Sequence, residues 1–175
     1  QAFATLVEAQ IDGESSVAFS PNGQTLVAAE GRNTIRVWDV ARQQALTVLK
    51  GFTDSALAMA FTPDGQMLAT GHSDESIRLW DVARRQELTV LEGGSGVHTL
   101  AFDPDGQVLA AAENNGTVHL WDVVQQRELD AFEGPSIEHL GRVGWSMTFG
   151  SSGLLLAVGR RDGTVQLWDV VQQQE

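Results

Sequence analysis

Histidine, carboxylate and serine are the side chains here that could move protons, hold a metal or attack a carbonyl. The four histidines, His72, His98, His119 and His139, stand twenty or more residues apart, without the close spacing of a metal-binding pair. Ser15, Ser16, Ser20, Ser73 and Ser76 fall in strand-like or turn-like stretches, and none lies in a nucleophile-elbow sequence. Cysteine is absent, which removes disulfides, thiolate metal sites and thiol nucleophiles. Four of the 23 acidic residues follow a tryptophan: Trp38-Asp39, Trp80-Asp81, Trp121-Asp122 and Trp168-Asp169. Pairs that recur along a chain read as architecture, the aspartates holding a turn and the indoles packing. The expectation is a non-catalytic protein with no cofactor and no metal.

The rest of the composition narrows the partners. A length of 175 residues suits one domain with a sizeable core. A net charge of −12, with Lys50 the single lysine, argues against nucleic acid and anionic membranes, which are held by basic surfaces. Apolar runs such as "LLLAV" (154–158) are far too short to span a bilayer. No basic-then-apolar leader opens the chain, and the expected location is cytoplasmic.

The elements that position these residues repeat. The Trp-Asp pairs are separated by 42, 41 and 47 residues, and Phe19, Phe61, Phe102 and Phe149 each lie 19 residues before the corresponding tryptophan. Leu49, Leu91 and Phe132 lie 11 residues after the first three. Only the connection from there to the next phenylalanine varies: 12, 11 and 17 residues, as one free surface loop would. The turns "SPNG", "TPDG" and "DPDG" place proline at the first central position and glycine where positive φ is needed. The fourth repeat has "GSSG" (150–153), keeping Gly153 and losing the proline. "TIRVW", "SIRLW", "TVHLW" and "TVQLW" alternate with period two, and "ALTVL", "ELTVL" and "ELDAF" supply a shorter fourth strand. Each repeat is therefore expected to be a four-stranded antiparallel meander in an all-β protein.

Four in-phase Trp-Asp pairs, repeats of this length, the Pro-Asp-Gly hairpins and "DESIRLWD" (74–81) resemble the WD-repeat β-propeller family across essentially the whole chain. The resemblance implies four-stranded blades packed face to face around an axis, and a scaffolding function in which rims and loop faces hold proteins or peptides. It also implies, within a blade, a hydrogen-bonded set of His, Ser/Thr, Asp and Trp. Thr70, Asp74 and Trp80 match that set in the second repeat, while the usual Gly-His dipeptide is Gly51-Phe52. The positions equivalent to Thr70 are Ala28, Ala111 and Val158, so the set is not carried to the other repeats.

In register, the repeats run at about 8–49, 50–91, 92–132 and 133–175 within one domain, 1–175. Glu175 is where a fourth strand would start, and "FATLV" (3–7) is an outer strand with no repeat before it. The N-terminal strand is thus expected to complete the last blade as a latch. Four blades in a closed ring turn about 90° each and eight about 45°, and the shallower wedge favours two chains forming one eight-bladed ring. The alternatives are a closed four-bladed monomer and half of a longer or newly amplified propeller.

The candidate partner-binding face comes from the turns and the long connection: Arg32, His72, Ser73, His98, Asn114, Glu138, His139, Arg142, Trp145 and Arg161. His119 shares its strand position with Arg36, Arg78 and Gln166 and reads as an exposed strand residue. The second function class is a ligand- or glycan-binding propeller with a pocket at the ring mouth, which repeated identical loop residues would favour; the loops here differ. If the long connection is the contact, replacing 135–142 with a short Gly-Ser linker abolishes partner binding in a pull-down, and retained binding discards it.

Overall fold

The computed structural model describes residues 16–31, 33–52, 54–93, 95–133, 146–159 and 163–170. Every regular element among them is a strand, and the strands form four sheets in chain order. The first blade is β1 (Val17–Phe19), β2 (Thr25–Ala29), β3 (Ile35–Asp39) and β4 (Gln44–Leu49). The second is β5 (Ala56–Phe61), β6 (Met67–His72), β7 (Ser76–Asp81) and β8 (Gln86–Glu92). The third is β9 (Val97–Phe102), β10 (Val108–Glu113), β11 (Thr117–Asp122) and β12 (Arg127–Glu133). The fourth has three strands among the described residues, β13 (Ser146–Phe149), β14 (Leu155–Gly159) and β15 (Val165–Asp169). Neighbours pair antiparallel throughout, as connections of three to five residues dictate. The latch strand expected at 3–7 lies outside the described residues.

Alternation along each strand sends side chains to two faces, and in these blades both faces are apolar. Val27, Ala29, Ile35, Val37 and Leu49 point forward from the first blade and meet Phe52, Ala56, Leu68 and Trp80 of the second. The second repeats this against the third, with Ile77, Leu79 and Leu91 on Val97, Leu100, Leu109 and Trp121. The third does so against the fourth, with Val118, Leu120 and Phe132 on Met147, Leu156 and Val158. The core is thus three slabs between four sheets, as in face-to-face sheet packing generally.

The two outermost faces are the same surfaces left uncovered. Ile35, Ile77 and Val118 are at most 3% exposed, whereas Val165, at the equivalent place in the fourth blade, is 67% exposed. Val37, Leu79 and Leu120 are at most 7% exposed and Leu167 is 55%. At the opposite end Val17 is 66% exposed, against 8% for its counterparts Leu100 and Met147, and Phe19 is 60% exposed.

Each complete blade carries a bulge beside its tryptophan. The β3–β4 register shifts between Val37 and Trp38, the β7–β8 register between Leu79 and Trp80, and the β11–β12 register between Leu120 and Trp121. The extra residue on the outer strand is Leu46, Leu88 or Leu129, each exposed. The turns feeding these bulges hold Gln43, Arg85 and Gln126 at φ of 53°, 58° and 55°.

Inter-blade fit is tight where backbone approaches backbone. A Cβ at Gly71 would lie 2.5 Å from Val97 Cγ1 and 2.8 Å from Val97 Cβ, while the equivalent contact between the first two blades joins Ala29 and Ala56. Gly71→Ala should therefore destabilise the protein by about 1–3 kcal/mol. Val97→Ala removes the nearer clash but keeps the Cβ at 2.8 Å, so combining the two should restore only part of that loss, read as a coupling energy in a urea-denaturation double-mutant cycle.

Candidate interaction face and the polar sets behind it

The turns at one end of the blades gather part of the expected face. Asn114 N donates to Gly96 O at 2.9 Å, and His98 Nε2 is hydrogen-bonded to Asn114 Oδ1. A Cβ at Gly96 would lie 2.6 Å from Asn114 Nδ2 and 3.6 Å from Ser73 Cα, so the missing side chain lets the second and third blades converge here. Ser73 Oγ reaches Ser55 O at 3.4 Å. Ser73, His98 and Asn114 are thus brought together at the seam between these blades, with Asn114 exposed and the other two half-buried. Arg32, Glu138, His139, Arg142, Trp145 and Arg161 lie outside the described residues.

His72 does not belong to that face. It is fully buried at the end of β6, on the side of the strand that faces the first blade. Its Nε2 lies 2.8 Å from Thr70 Oγ1, and Trp80 Nε1 donates to the same oxygen at 3.0 Å. Thr70 Oγ1 thus links the indole to the imidazole, with its own proton within reach of His72 Nε2 and, at 3.4 Å, of Arg78 O. The Phe52 ring stands 4.5 Å from the imidazole at a 47° tilt. The histidine of this blade's set therefore comes from the end of the second strand, and the Gly51-Phe52 dipeptide supplies a ring that covers it. Burial pushes the His72 pKa down to about 4, which Arg78 reinforces against the pull of Asp74. Asp74 itself caps the turn, accepting from Ser76 N at 3.1 Å and Ser76 Oγ at 2.5 Å.

Without a hydroxyl at the Thr70 position, the indole N–H of Trp38 and of Trp121 is buried and makes no hydrogen bond. Their neighbours at that place are Ala28 and Ala111. These blades put their polar groups one step further along instead. Arg36 Nε donates to both Glu30 oxygens, at 2.7 and 2.8 Å. In the second blade Arg78 pairs with Glu87 at 2.7 Å.

In the third blade His119 stands between Glu113, 3.5 Å from Nε2, and Glu128, 2.6 Å from Nδ1. His119 is not the exposed residue its strand position suggested: its side chain is 17% accessible, because carboxylates on β10 and β12 close over it. Its pKa is raised to about 9, first by Glu113 and then by Glu128, against a desolvation that lowers it.

The Trp-Asp aspartates close the turn after the third strand. Asp39 accepts from Arg42 N at 2.8 Å and Arg42 Nη1 at 2.6 Å; Asp81 does the same with Arg84 at 2.7 and 2.6 Å; Asp122 accepts from Gln125 N at 2.8 Å. These contacts hold the carboxyls of Asp39 and Asp81 below the usual carboxylate range.

Successive antiparallel blades, with an aspartate-closed turn after the Trp-bearing strand of the first three, define an all-β repeat protein of the propeller-blade type. Residues 9–39, 43–81, 85–122 and 135–169 match the family model described as "WD domain, G-beta repeat", and the chain belongs to this WD40 family. No curated protein matches the chain.

Two measurements follow. Thr70→Val leaves both the Trp80 N–H and His72 Nε2 without partners and should cost about 2–3 kcal/mol, whereas Ala28→Thr offers Trp38 an acceptor and should add about 1 kcal/mol, both read by chemical denaturation. The second is pH dependence. With His72 depressed to about 4, the unfolded chain binds its proton first as pH falls below 6.5, and stability drops towards pH 4 by up to about 3 kcal/mol. With His119 raised to about 9, its contribution is complete below 6.5 and is lost as pH rises towards 9. Melting temperature should therefore peak between the two limbs, and His119→Gln should flatten only the alkaline one.

Proposed function

We propose that this WD-repeat protein is a non-catalytic interaction scaffold, and that two chains close one eight-bladed ring that presents its loop face to protein or peptide partners. The observation that carries the ring is the pair of open end faces. Val165 and Leu167 at one end occupy positions buried at the internal seams, and Val17 and Phe19 at the other occupy positions that those seams bury fully or in part. The occupant that fits each is therefore another blade of this kind, and a second copy supplies both at once in a head-to-tail arrangement that closes. Exposed apolar faces of this extent do not suit a free arc in water. β15 carries no fourth strand among the described residues, and segment 3–7 of the partner copy would add it.

The scaffold reading rests on the family and on how the polar side chains are committed. His72, His119, Glu113, Arg36 and the Trp-Asp carboxylates are engaged within blades. The cluster of Ser73, His98 and Asn114 at the turn end is the described part of the loop face that would meet a partner.

The mass in solution tests the ring. One chain is 18.9 kDa, and sedimentation or mass photometry should give twice that. A particle of one chain's mass at micromolar concentration would sink the two-chain ring. Phe19→Ser with Leu167→Ser should drive the assembly to monomers without unfolding the internal seams.

A further inference from the structure

The turns opposite the loop face form a ladder across the seams. A Cβ placed at Gly65 would lie 3.3 Å from Pro21 Cδ, one at Gly106 would lie 3.3 Å from Pro63 Cδ, and one at Gly153 would lie 3.4 Å from Pro104 Cδ. The proline of each first hairpin thus packs over the turn glycine of the next blade. These glycines have φ of 71°, 71° and 72°, and Gly23 has φ of 68° in the same turn of the first blade. Beside Gly23, however, nothing lies within 4 Å of the Cβ position.

The preceding blade at that seam is a fourth blade, and its hairpin is Gly150-Ser151-Ser152-Gly153. The proline position holds Ser151. The residue before it has also lost its side chain. Ser20 Oγ accepts from Thr25 N at 2.9 Å, Thr62 Oγ1 from Met67 N at 3.0 Å, and Asp103 Oδ1 from Val108 N at 2.9 Å, whereas Gly150 has nothing to offer. The fourth hairpin has therefore dropped both the group that fixes its turn and the ring that reaches across.

We infer that Gly23 is the receiving half of a rung whose other half is Ser151 of a second copy, and that the missing proline makes this the weak, exchangeable seam of the ring. The inference rests on the two-chain reading above. The internal seams are tethered by the chain and also carry the proline. The seam between chains lacks the proline, and the 3–7 strand that crosses it is hydrogen-bonded rather than covalently joined to the blade it completes, so the assembly opens there and swaps protomers.

Restoring the proline tests this. Ser151 is exposed and its φ is not in the left-handed region, so proline is compatible with the turn. Burying the equivalent of about one methylene per seam corresponds to about four-fold, and two seams close the ring, so Ser151→Pro should lower the dimer Kd by about fifteen-fold. Exchange between two fluorescently labelled populations should slow to match. Pro63→Ser, at an internal seam, should lower the melting temperature and leave Kd within about two-fold. Gly150→Asp with Ser151→Pro rebuilds the Asp-Pro of the third blade and gives the same direction of change if the single variant folds poorly; a Cβ at Gly150 meets Leu155 no closer than 3.6 Å. Dimers whose Kd and exchange rate are unmoved by both variants overturn the rung and leave the ring standing. A wild-type chain that stays monomeric at every concentration overturns the ring itself, and the rung with it.

Discussion

Everything in this molecule depends on one sheet face being covered by the next. A blade has no sheltered side of its own: its forward face carries residues such as Ile77 and Leu79, and its backward face carries Leu68 and Trp80. Burial of such side chains is worth roughly 1.5–3 kcal/mol each, and none of it is available to an isolated sheet. Strand alternation therefore does not sort core from solvent here, as it would in a one-sided sheet. It sorts the preceding neighbour from the following one. That constraint explains why Phe19 and Leu167 stand in water although both are as apolar as the residues at the same places in the blades between them.

The same constraint decides where polar chemistry can sit. The place at the end of the second strand holds Glu30, His72 and Glu113 in the first three blades, and each arrives with a different partner. A neutral His on a Thr–Trp chain, an Arg–Glu fork and a His between two carboxylates are not interchangeable. A histidine in place of Glu30 would leave Arg36 without the carboxylate it is bonded to, and His72 needs the Thr70 hydroxyl that the first and third blades lack. The repeats are near copies, yet these substitutions give each blade its own electrostatic identity.

The blades themselves were legible in the sequence because their signals are local. A Pro-Asp-Gly turn, a period-two run ending in Trp-Asp and a fixed spacing from Phe61 to Trp80 each act within one hairpin. The placement of the Thr70–Trp80 bond was legible too, since both lie in one blade at matching positions. His72 and His119 were misread for a single reason. A polar residue at a strand end or mid-strand is exposed only if the facing sheet and the adjacent strand leave it so, and here Phe52 covers one while Glu113 and Glu128 close over the other. The open space beside Gly23 is likewise invisible without its neighbours, although the lost proline of "GSSG" marked the fourth hairpin as different.

The bulges opposite Trp38, Trp80 and Trp121 bear on a hazard that any ring of sheets creates at its circumference. An outer strand exposes a row of unpaired amide and carbonyl groups, a template on which foreign strands can grow into fibrils. In β4, β8 and β12 the inserted leucine breaks the spacing of that row and twists it out of plane, so a regular strand cannot dock along it. The outer edge is thereby blunted against indiscriminate strand addition in each of the three complete blades.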